Sequence, residues 1–242
     1  LSDGGVHSHV DHMIQTAKAL EARGIQVRLH LFGDGRDVAP KSALSFLTHL
    51  TGAIGANTQI ASLTGRYFSL DRDNRWERVA QGYGAIVNGV GARFDTPVAA
   101  INAAYDANVT DEFIPASVFG DYAGVKDGDG LMFLNYRADR AREILTAIAD
   151  PEFTNFETGP QPKLSALTGF AQYSDRHDTY MDCVFPSEKI KNTLGEWVSA
   201  KSLKQFRIAE TEKYPHVTFF LNGGVEVPAA QEERYLAPSP KV

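Results

Sequence analysis

Three segments of the chain repeat one order of hydrophobic and polar positions. An apolar run rich in strand-forming residues comes first, then a short polar loop, then an amphipathic stretch with helical spacing; the apolar runs cover residues 25–32, 58–65 and 130–136. Strands that alternate with helices indicate an α/β fold, in which helices flank a central sheet. Ligands bind outside the carboxyl ends of the strands in such sheets, so we expect the three loops to meet in one crevice.

Arginines occupy the loops after the first two predicted strands. Arg36 and Asp37 lie in GDGRDVAP, and Arg66 and Arg72 follow the second strand. A guanidinium group offers a planar fork of donors that matches phosphate and carboxylate, and a small dianion needs several such groups. We interpret these arginines as a candidate anion site; solvated arginines at helix ends are the alternative. Asp37 is a candidate general acid or base at a substrate hydroxyl, or a turn residue.

Local signals place the starts of the helices that follow. Pro40 fits the first turn of the helix after the first strand. Asp73 or Asn74 is a candidate N-cap of the helix after the second strand. Behind the third strand, RADRAREILTAIA is typical of a helix, and Arg137 and Arg140 would share one side of its first turn.

Histidines are concentrated at the start of the chain, where GGVHSHVDHM contains His7, His9, Asp11 and His12. Imidazole and carboxylate are ordinary zinc ligands, but the spacing matches no standard zinc motif. A Gly-Gly turn that opens a helix also presents free N–H groups to anions. We therefore favour contact between His7 and an anion over metal binding. Lys213, in AETEKYPHVTFFL, is either a further phosphate contact or a solvated lysine.

A second domain is predicted to begin near Pro186. Residues 187–203 predict a helix, and HVTFFL at residues 216–221 predicts an apolar strand. The polar tail QEERYLAPSPKV is poorly suited to close a fold, so we expect this second domain to be incomplete. The chain opens on LSDGG instead of methionine, which favours an excised piece of a longer protein.

Composition narrows the possible function classes. The net charge of -6 argues against general nucleic-acid binding, which normally uses a basic surface. No apolar run approaches the roughly 18 residues of a membrane helix, and no signal peptide is present, so we expect a cytoplasmic protein without membrane association. The single cysteine, Cys183, fits a reducing compartment and is expected to lie in the core.

Five motifs taken together resemble the cofactor-independent phosphoglycerate mutases: LSDGGVHSH, DGRDV, TGRYFSLDRDNRWERV, NYRADRARE and AETEKYPHVTFFLNGG. They occur in the family's order and span nearly the whole chain. The resemblance implies an inserted α/β substrate (transferase) domain that holds the glycerate. It also implies a phosphatase-like domain of the alkaline phosphatase superfamily, with two manganese ions and a serine nucleophile. Residues 1–186 would form the substrate domain and residues 187–242 a partial segment of the metal domain.

The resemblance also assigns roles to residues. Asp37 would assist proton transfer at the substrate hydroxyl, and Lys213 and His7 would face the phosphorus. The full set of substrate contacts that it implies is His7, Arg36, Asp37, Arg66, Arg72, Arg137, Arg140 and Lys213. The phosphorylated serine would lie upstream of this sequence and most manganese ligands downstream. No residue here is therefore assigned to the metal, and the chain alone is expected to be inactive.

The activity implied for the intact enzyme is the interconversion of 3-phosphoglycerate and 2-phosphoglycerate, by a monomer that needs no 2,3-bisphosphoglycerate. This isomerase would act through a phosphoserine intermediate in glycolysis and gluconeogenesis. Two alternatives stay open: a stand-alone phosphoglycerate-binding module, and a related metal-dependent phosphomutase or phosphatase for another sugar phosphate. Several arginines in one crevice favour a small acid over a neutral sugar.

Overall fold

The chain forms two compact units in a computed structural model that describes residues 1–188, 190–211 and 213–239. The first unit is Leu1–Pro186 and the second is Ser187–Val242. The assignment of these units to a substrate domain and a partial metal domain stays a prediction. Both units contain helices and strands, and the predicted α/β class is confirmed. Within the described part of the chain, every helix is too short or too polar to span a lipid bilayer.

A four-stranded sheet lies at the centre of one half of the first unit. Its strands are β1 (Val27–Gly33), β2 (Thr58–Gly65), β3 (Ala92–Phe94) and β4 (Ser117–Phe119), in the order β1-β2-β4-β3. Strands β1 and β2 are parallel, and β4 runs antiparallel to β2. The second predicted strand, residues 58–65, therefore has the bounds that the sequence indicates.

Helices of the first unit are α1 (Val10–Glu21), α2 (Ala43–Thr51), α3 (Arg66–Ser69), α4 (Trp76–Val87), α5 (Pro97–Asp106) and α6 (Arg142–Ala149). The apolar faces of α1, α2 and α5 pack with β1 and β2 in one core, which includes Leu31, Leu63 and Ile101. A second core joins α4 and α6 around Tyr83 and Leu145. Burial of these apolar faces supplies most of the stability of the helices.

A separate three-stranded parallel sheet completes the first unit. It consists of β5 (Gly130–Phe133), β6 (Ala166–Ala171) and β7 (Asp182–Phe185) in that order. The expectation of a single sheet for all three repeats is wrong, because β5 pairs with β6 and not with β1 or β2. Cys183 lies in β7 and is only partly buried, so the prediction of a core cysteine is also wrong.

A distant carboxylate, and not Pro40, sets the start of α2, and the predicted N-cap residues do not begin α4. Oδ2 of Asp111 accepts from the N–H groups of Ser42 (2.8 Å) and Ala43 (2.9 Å), and α2 begins there, after Pro40. Pro40 therefore lies outside the helix. Neither Asp73 nor Asn74 caps α4, whose N-cap position is Arg75.

Helix α6 begins later than its sequence predicts. Its first residue is Arg142, and the preceding residues form a turn in which the N–H of Ala141 donates to Ala138 O at 3.1 Å. Arg137 and Arg140 consequently lie in the loop before the helix, and the prediction that they share a helical turn is wrong. Their positions are set by the loop between β5 and α6.

In the second unit, α7 (Leu194–Ala200) begins with a capping box between Thr193 and Glu196. Strands β8 (Gln205–Glu210) and β9 (Glu232–Ala237) pair in parallel, so the polar tail contributes a strand, contrary to expectation. The strand predicted at residues 216–221 is wrong as well. His216–Phe220 forms a turn of π-helix instead, and the N–H groups of His216 and Val217 donate to the carbonyl of Lys213, which precedes it.

Candidate anion-binding site

The carboxyl ends of β1 and β2 lie side by side, with Gly33 opposite Gly65 in the parallel register. A single turn of 3-10 helix, Asp111–Phe113, crosses these two ends. A Cβ atom at either glycine would collide with the backbone carbonyl of Asp111 or Glu112. Glycine is therefore required at both strand ends, and the loops that follow the two strands begin next to each other.

Arg66 links these two loops. It begins α3, is 4% exposed, and donates from Nη1 to Oδ1 of Asp34 (2.6 Å) and to Oδ2 of Asp37 (2.5 Å). Burial opposes the charge of Arg66, but its hydrogen bonds to the two aspartates raise its pKa above the usual value. The pair of carboxylates thus holds a permanently charged guanidinium at the strand ends.

Asp34 organises the rest of the first loop. Oδ1 accepts from the N–H of Arg36 (3.3 Å) and of Asp37 (3.1 Å), and Oδ2 accepts from the hydroxyl of Ser2 (2.6 Å). Burial would raise the pKa of Asp34, but the hydrogen bonds from Ser2, Asp37 and Arg66 keep it below its usual value. The aspartate is therefore ionised and fixes the backbone that carries Arg36 and Asp37.

Asp139 brings the third loop to the second. Its Oδ2 accepts from Nη1 of Arg72 at 2.6 Å, and its Oδ1 lies 3.0 Å from Nε of Arg137 and 3.8 Å from Nδ1 of His7. Burial works against ionisation, but the hydrogen bond from Arg72 and the charge of Arg137 lower the pKa of Asp139. One carboxylate therefore connects three of the predicted contact residues.

His7 is buried beside this carboxylate. Its carbonyl accepts from the N–H of Tyr136 at 2.9 Å, and its Nδ1 has no hydrogen-bond partner among the described residues. Burial and the positive charge of Arg66 lower its pKa to about 4. The imidazole is consequently neutral near pH 7 and retains a free nitrogen for a ligand.

Arg140 shows that the arginines share one region. Its Nη1 donates to Leu70 O at 2.8 Å, which ties it to the loop that carries Arg72. Burial lowers the pKa of Arg140, and so do the positive charges of Arg72, Arg66 and Arg36. Arg36 itself is exposed and lies 3.3 Å from Oε1 of Glu112. These like charges from all three loops raise the electrostatic potential of one surface region.

The first unit thus brings together seven of the eight predicted contact residues: His7, Arg36, Asp37, Arg66, Arg72, Arg137 and Arg140. Lys213 belongs to the second unit, and its part in the site stays a prediction. Sequence reasoning missed Asp34 and Asp139, although both stand inside the quoted motifs. Their signal was an acidic residue within two positions of Arg36, Arg137 and Arg140, since clustered guanidinium groups need counter-charges.

The other histidines of the opening segment have different contacts. His9 is the N-cap of α1 and accepts from the N–H of Asp11 at 3.2 Å, whereas His12 stacks on Phe170. No group of three or more His, Cys, Asp or Glu side chains that could hold a metal occurs among the described residues.

A cavity of about 130 Å³ borders the buried part of the site. His7, Asp37 and Arg66 lie along its polar part, and apolar side chains of β1 and β5 line its continuation, among them Leu29 and Leu131. Phe32 and Phe133 approach each other near these strand ends, with ring centroids 5.9 Å apart. Polar groups that converge beside an apolar cavity are typical of small-molecule sites.

Comparison with known proteins decides the family. The family model described as the N-terminus of BPG-independent PGAM matches residues 1–175. The chain belongs to this family. The resemblance to the cofactor-independent phosphoglycerate mutases, based on the five motifs, is thereby confirmed.

Relatives named 2,3-bisphosphoglycerate-independent phosphoglycerate mutase include the proteins of Ruegeria pomeroyi, 55% identical over 242 residues, and Roseobacter denitrificans, 54% identical over 242 residues. All of this chain aligns with 48% of each of them. The crystal structure of Leishmania mexicana phosphoglycerate mutase, described as at low cobalt concentration, matches with a TM-score of 0.78 and 30% identity. That match covers 100% of this chain and 47% of the Leishmania chain. The chain thus spans about half the length of these phosphoglycerate mutases.

Proposed function

We propose that the intact protein interconverts 3-phosphoglycerate and 2-phosphoglycerate without 2,3-bisphosphoglycerate, and that the first unit holds the glycerate during the reaction. The observation that carries this proposal is the clustering of arginines around Arg140, whose pKa is lowered by burial and by three neighbouring guanidinium groups. Like charges in one region are unfavourable unless negative charges lie among them, and Asp34, Asp139 and Glu112 supply part of this compensation. A phosphoglycerate, with its phosphate and carboxylate, has the charge that this cluster needs.

The arginines divide into two groups by environment, which suits a ligand with two different anionic ends. Arg66 is buried and fixed by two carboxylates, whereas Arg36, Arg72 and Arg137 are partly exposed and each has an acidic partner. Exposed side chains can exchange that partner for a ligand at small cost, since exposed ion pairs contribute about 0–1 kcal/mol. We propose that these mobile guanidinium groups bind the glycerate and that Arg66 mainly orients Asp37.

Asp37 is the proposed proton carrier. Arg66 donates to one of its carboxylate oxygens and so orients the side chain. In the second transfer, the 2-hydroxyl oxygen of the glycerate would bond to phosphorus, its proton would pass to Asp37, and the bond from phosphorus to the serine oxygen would break. Retention of the glycerate between the two transfers separates a mutase from a phosphatase.

The serine and the manganese ligands are proposed to lie in the part of the protein that this chain does not include. Manganese, when bound, would stabilise charge on the transferring phosphoryl group. Lys213 would contact the same phosphoryl group in the intact protein, as the family resemblance implies. We further propose that the enzyme acts as a monomer in the cytoplasm, in glycolysis and gluconeogenesis, where its substrates are intermediates.

The experiment follows conversion of 3-phosphoglycerate by phosphorus NMR in the intact protein, with manganese and without added 2,3-bisphosphoglycerate. Appearance of 2-phosphoglycerate supports the proposal. Release of inorganic phosphate alone would indicate a phosphatase. Calorimetric binding of 3-phosphoglycerate without turnover would indicate a binding module, and absence of both binding and turnover would overturn the assignment.

A further inference from the structure

Two carboxyl groups face each other beneath the loop that carries Arg72. Asp71 precedes Arg72 and is 4% exposed, and Glu143 lies in the first turn of α6 and is 8% exposed. Their side chains lie within hydrogen-bonding reach of each other. Ionised carboxylates only accept hydrogen bonds, so a hydrogen bond between the two requires one proton on the pair.

The surrounding donors decide which carboxyl carries the proton. Oδ2 of Asp71 accepts from the N–H groups of Asp73 (2.9 Å) and Arg75 (3.0 Å), and Nη1 of Arg78 lies 3.5 Å from its Oδ1. These donors favour the ionised form of Asp71. Among the described residues, no donor reaches the buried Oε2 of Glu143. The buried Oε2 of Glu143 has a hydrogen-bond partner when it is protonated and donates to Asp71.

Glu143 also holds the backbone of the loop. Its Oε1 accepts from the N–H of Asn74 at 2.9 Å. Asn74 has φ 58, a left-handed conformation that needs local support in a residue other than glycine. The two carboxyl groups together therefore accept from the N–H groups of three consecutive residues, Asp73, Asn74 and Arg75, immediately after Arg72.

We propose that Glu143 is a positioning residue, which donates its carboxyl proton to Asp71 and thereby fixes the Arg72 loop against α6. The proposal rests on the proposed function, in which Arg72 contacts phosphoglycerate. Arg140 precedes Glu143 by three residues, and its guanidinium donates to Leu70 O, two residues before Arg72. The contact between the Arg72 loop and α6 therefore holds Arg140 as well as Arg72. Glu143 itself does not contact the substrate.

The charges around the pair give this contact a pH dependence. Asp71 and Asp73 face Glu143 from the loop, and Arg78 of α4 faces Asp71. Burial raises the pKa of Glu143 to about 7, with the two aspartates adding to the effect and the Asn74 N–H opposing it. Below this pKa, Glu143 is protonated and its hydrogen bond to Asp71 is formed. As pH rises through about 7, the proton leaves, the carboxylates repel, and the loop is held less firmly.

The test compares Glu143→Gln with the intact wild-type enzyme between about pH 6 and pH 9. Glutamine has nearly the same shape and donates to Asp71 at every pH, so it replaces the proton permanently. The KM for 3-phosphoglycerate of the wild type should rise by about threefold or more across this range, and that of Glu143→Gln should rise clearly less. Glu143→Leu, which cannot donate, should have a raised KM even at the acidic end.

The matched control is Glu77→Gln, the same change at an exposed position in the first turn of the neighbouring helix α4. Its KM should follow the wild-type pH profile. An identical pH profile of KM in Glu143→Gln and the wild type would overturn the proposal.

A second measurement needs no turnover and keeps this inference separable from the mutase assignment. Amide hydrogen exchange of the peptide around residues 73–75, corrected for the intrinsic pH dependence of exchange, reports directly on the three N–H groups. Protection should fall above about pH 7 in the wild type and persist in Glu143→Gln. Loss of protection with the same pH dependence in both proteins would contradict the proposed role, whatever reaction the enzyme catalyses.

Discussion

Nη1 of Arg66 lies 2.5 Å from Oδ2 of Asp37, and this ion pair connects the loops that follow β1 and β2. Asp34 accepts from the same nitrogen at 2.6 Å. The buried arginine therefore orients the carboxylate that we propose as the proton carrier, and each carboxylate keeps the guanidinium charge compensated.

Asp37→Asn tests the proposed proton transfer. The amide keeps the shape of the side chain but cannot accept a proton, so turnover of 3-phosphoglycerate should fall by roughly 10²–10⁴-fold, with a smaller change in binding. Steady-state rates and calorimetric affinities of the intact protein measure the two effects. Asp95→Asn, at an exposed position, is the control. Wild-type turnover in Asp37→Asn would exclude Asp37 as the proton carrier.

Arg66→Met tests the structural part of the same ion pair. The substitution keeps an unbranched apolar stem and leaves Asp34 and Asp37 without their shared counter-charge. The free energy of unfolding should fall by about 3–5 kcal/mol, as for other broken buried ion pairs. Urea denaturation measures the change. Arg36→Met removes an exposed pair with Glu112 and should cost about 1 kcal/mol or less; equal losses in the two variants would contradict the prediction.

Arg137→Ala and Arg140→Ala test the loop between β5 and α6. Each should weaken the binding of 3-phosphoglycerate by about 1.5–3 kcal/mol, the scale of a hydrogen bond to a charged group. Calorimetric titration of the intact protein gives the affinities. Arg23→Ala, at an exposed position after α1, should bind as the wild type does. Unchanged affinity in both loop variants would remove these arginines from the site.

His7 should make folding sensitive to acid. Burial and Arg66 lower its pKa from 6.5 to about 4, so the unfolded chain binds the proton more readily than the folded protein between these values. The stabilising contribution is complete above about pH 6.5 and is lost as pH falls towards about 4, with a size on the order of 2–3 kcal/mol.

The measurement is the free energy of unfolding of the wild type and His7→Gln from about pH 4 to pH 7. The difference between the two proteins should change across this range because glutamine does not titrate. His49→Gln, an exposed histidine that pairs with Asp11, should not reproduce the effect. A constant difference between wild type and His7→Gln would show that His7 titrates normally in the folded protein.

The site was partly predictable because its arginines lie in short loops directly after apolar runs. Period-two and period-3.6 patterns are local properties, so β2 has the predicted bounds and Arg36, Asp37, Arg66 and Arg72 lie after the predicted strands. The five motifs were sufficient to indicate the family. The roles of these residues with substrate are still predictions.

Strand pairing, by contrast, was decided by contacts between distant residues. The apolar run at β5 predicts a strand but carries no information about its neighbour, and the tertiary structure pairs it with β6 in a second sheet. The apolar run at residues 216–221 fits a strand by composition, yet its N–H groups find local acceptors and form a helical turn. An apolar pattern does not specify the hydrogen-bond partner.

The sequence by itself determined the α/β class, the bounds of β2 and the presence of arginines in the loops after β1 and β2. Only the tertiary structure decided that Asp34 and Asp139 are the counter-charges that order them, that Asp111 begins α2, and that Glu143 meets Asp71. Each of these contacts joins groups far apart in the chain. Their energy depends on burial and on distances of a few ångströms, which a one-dimensional pattern does not contain.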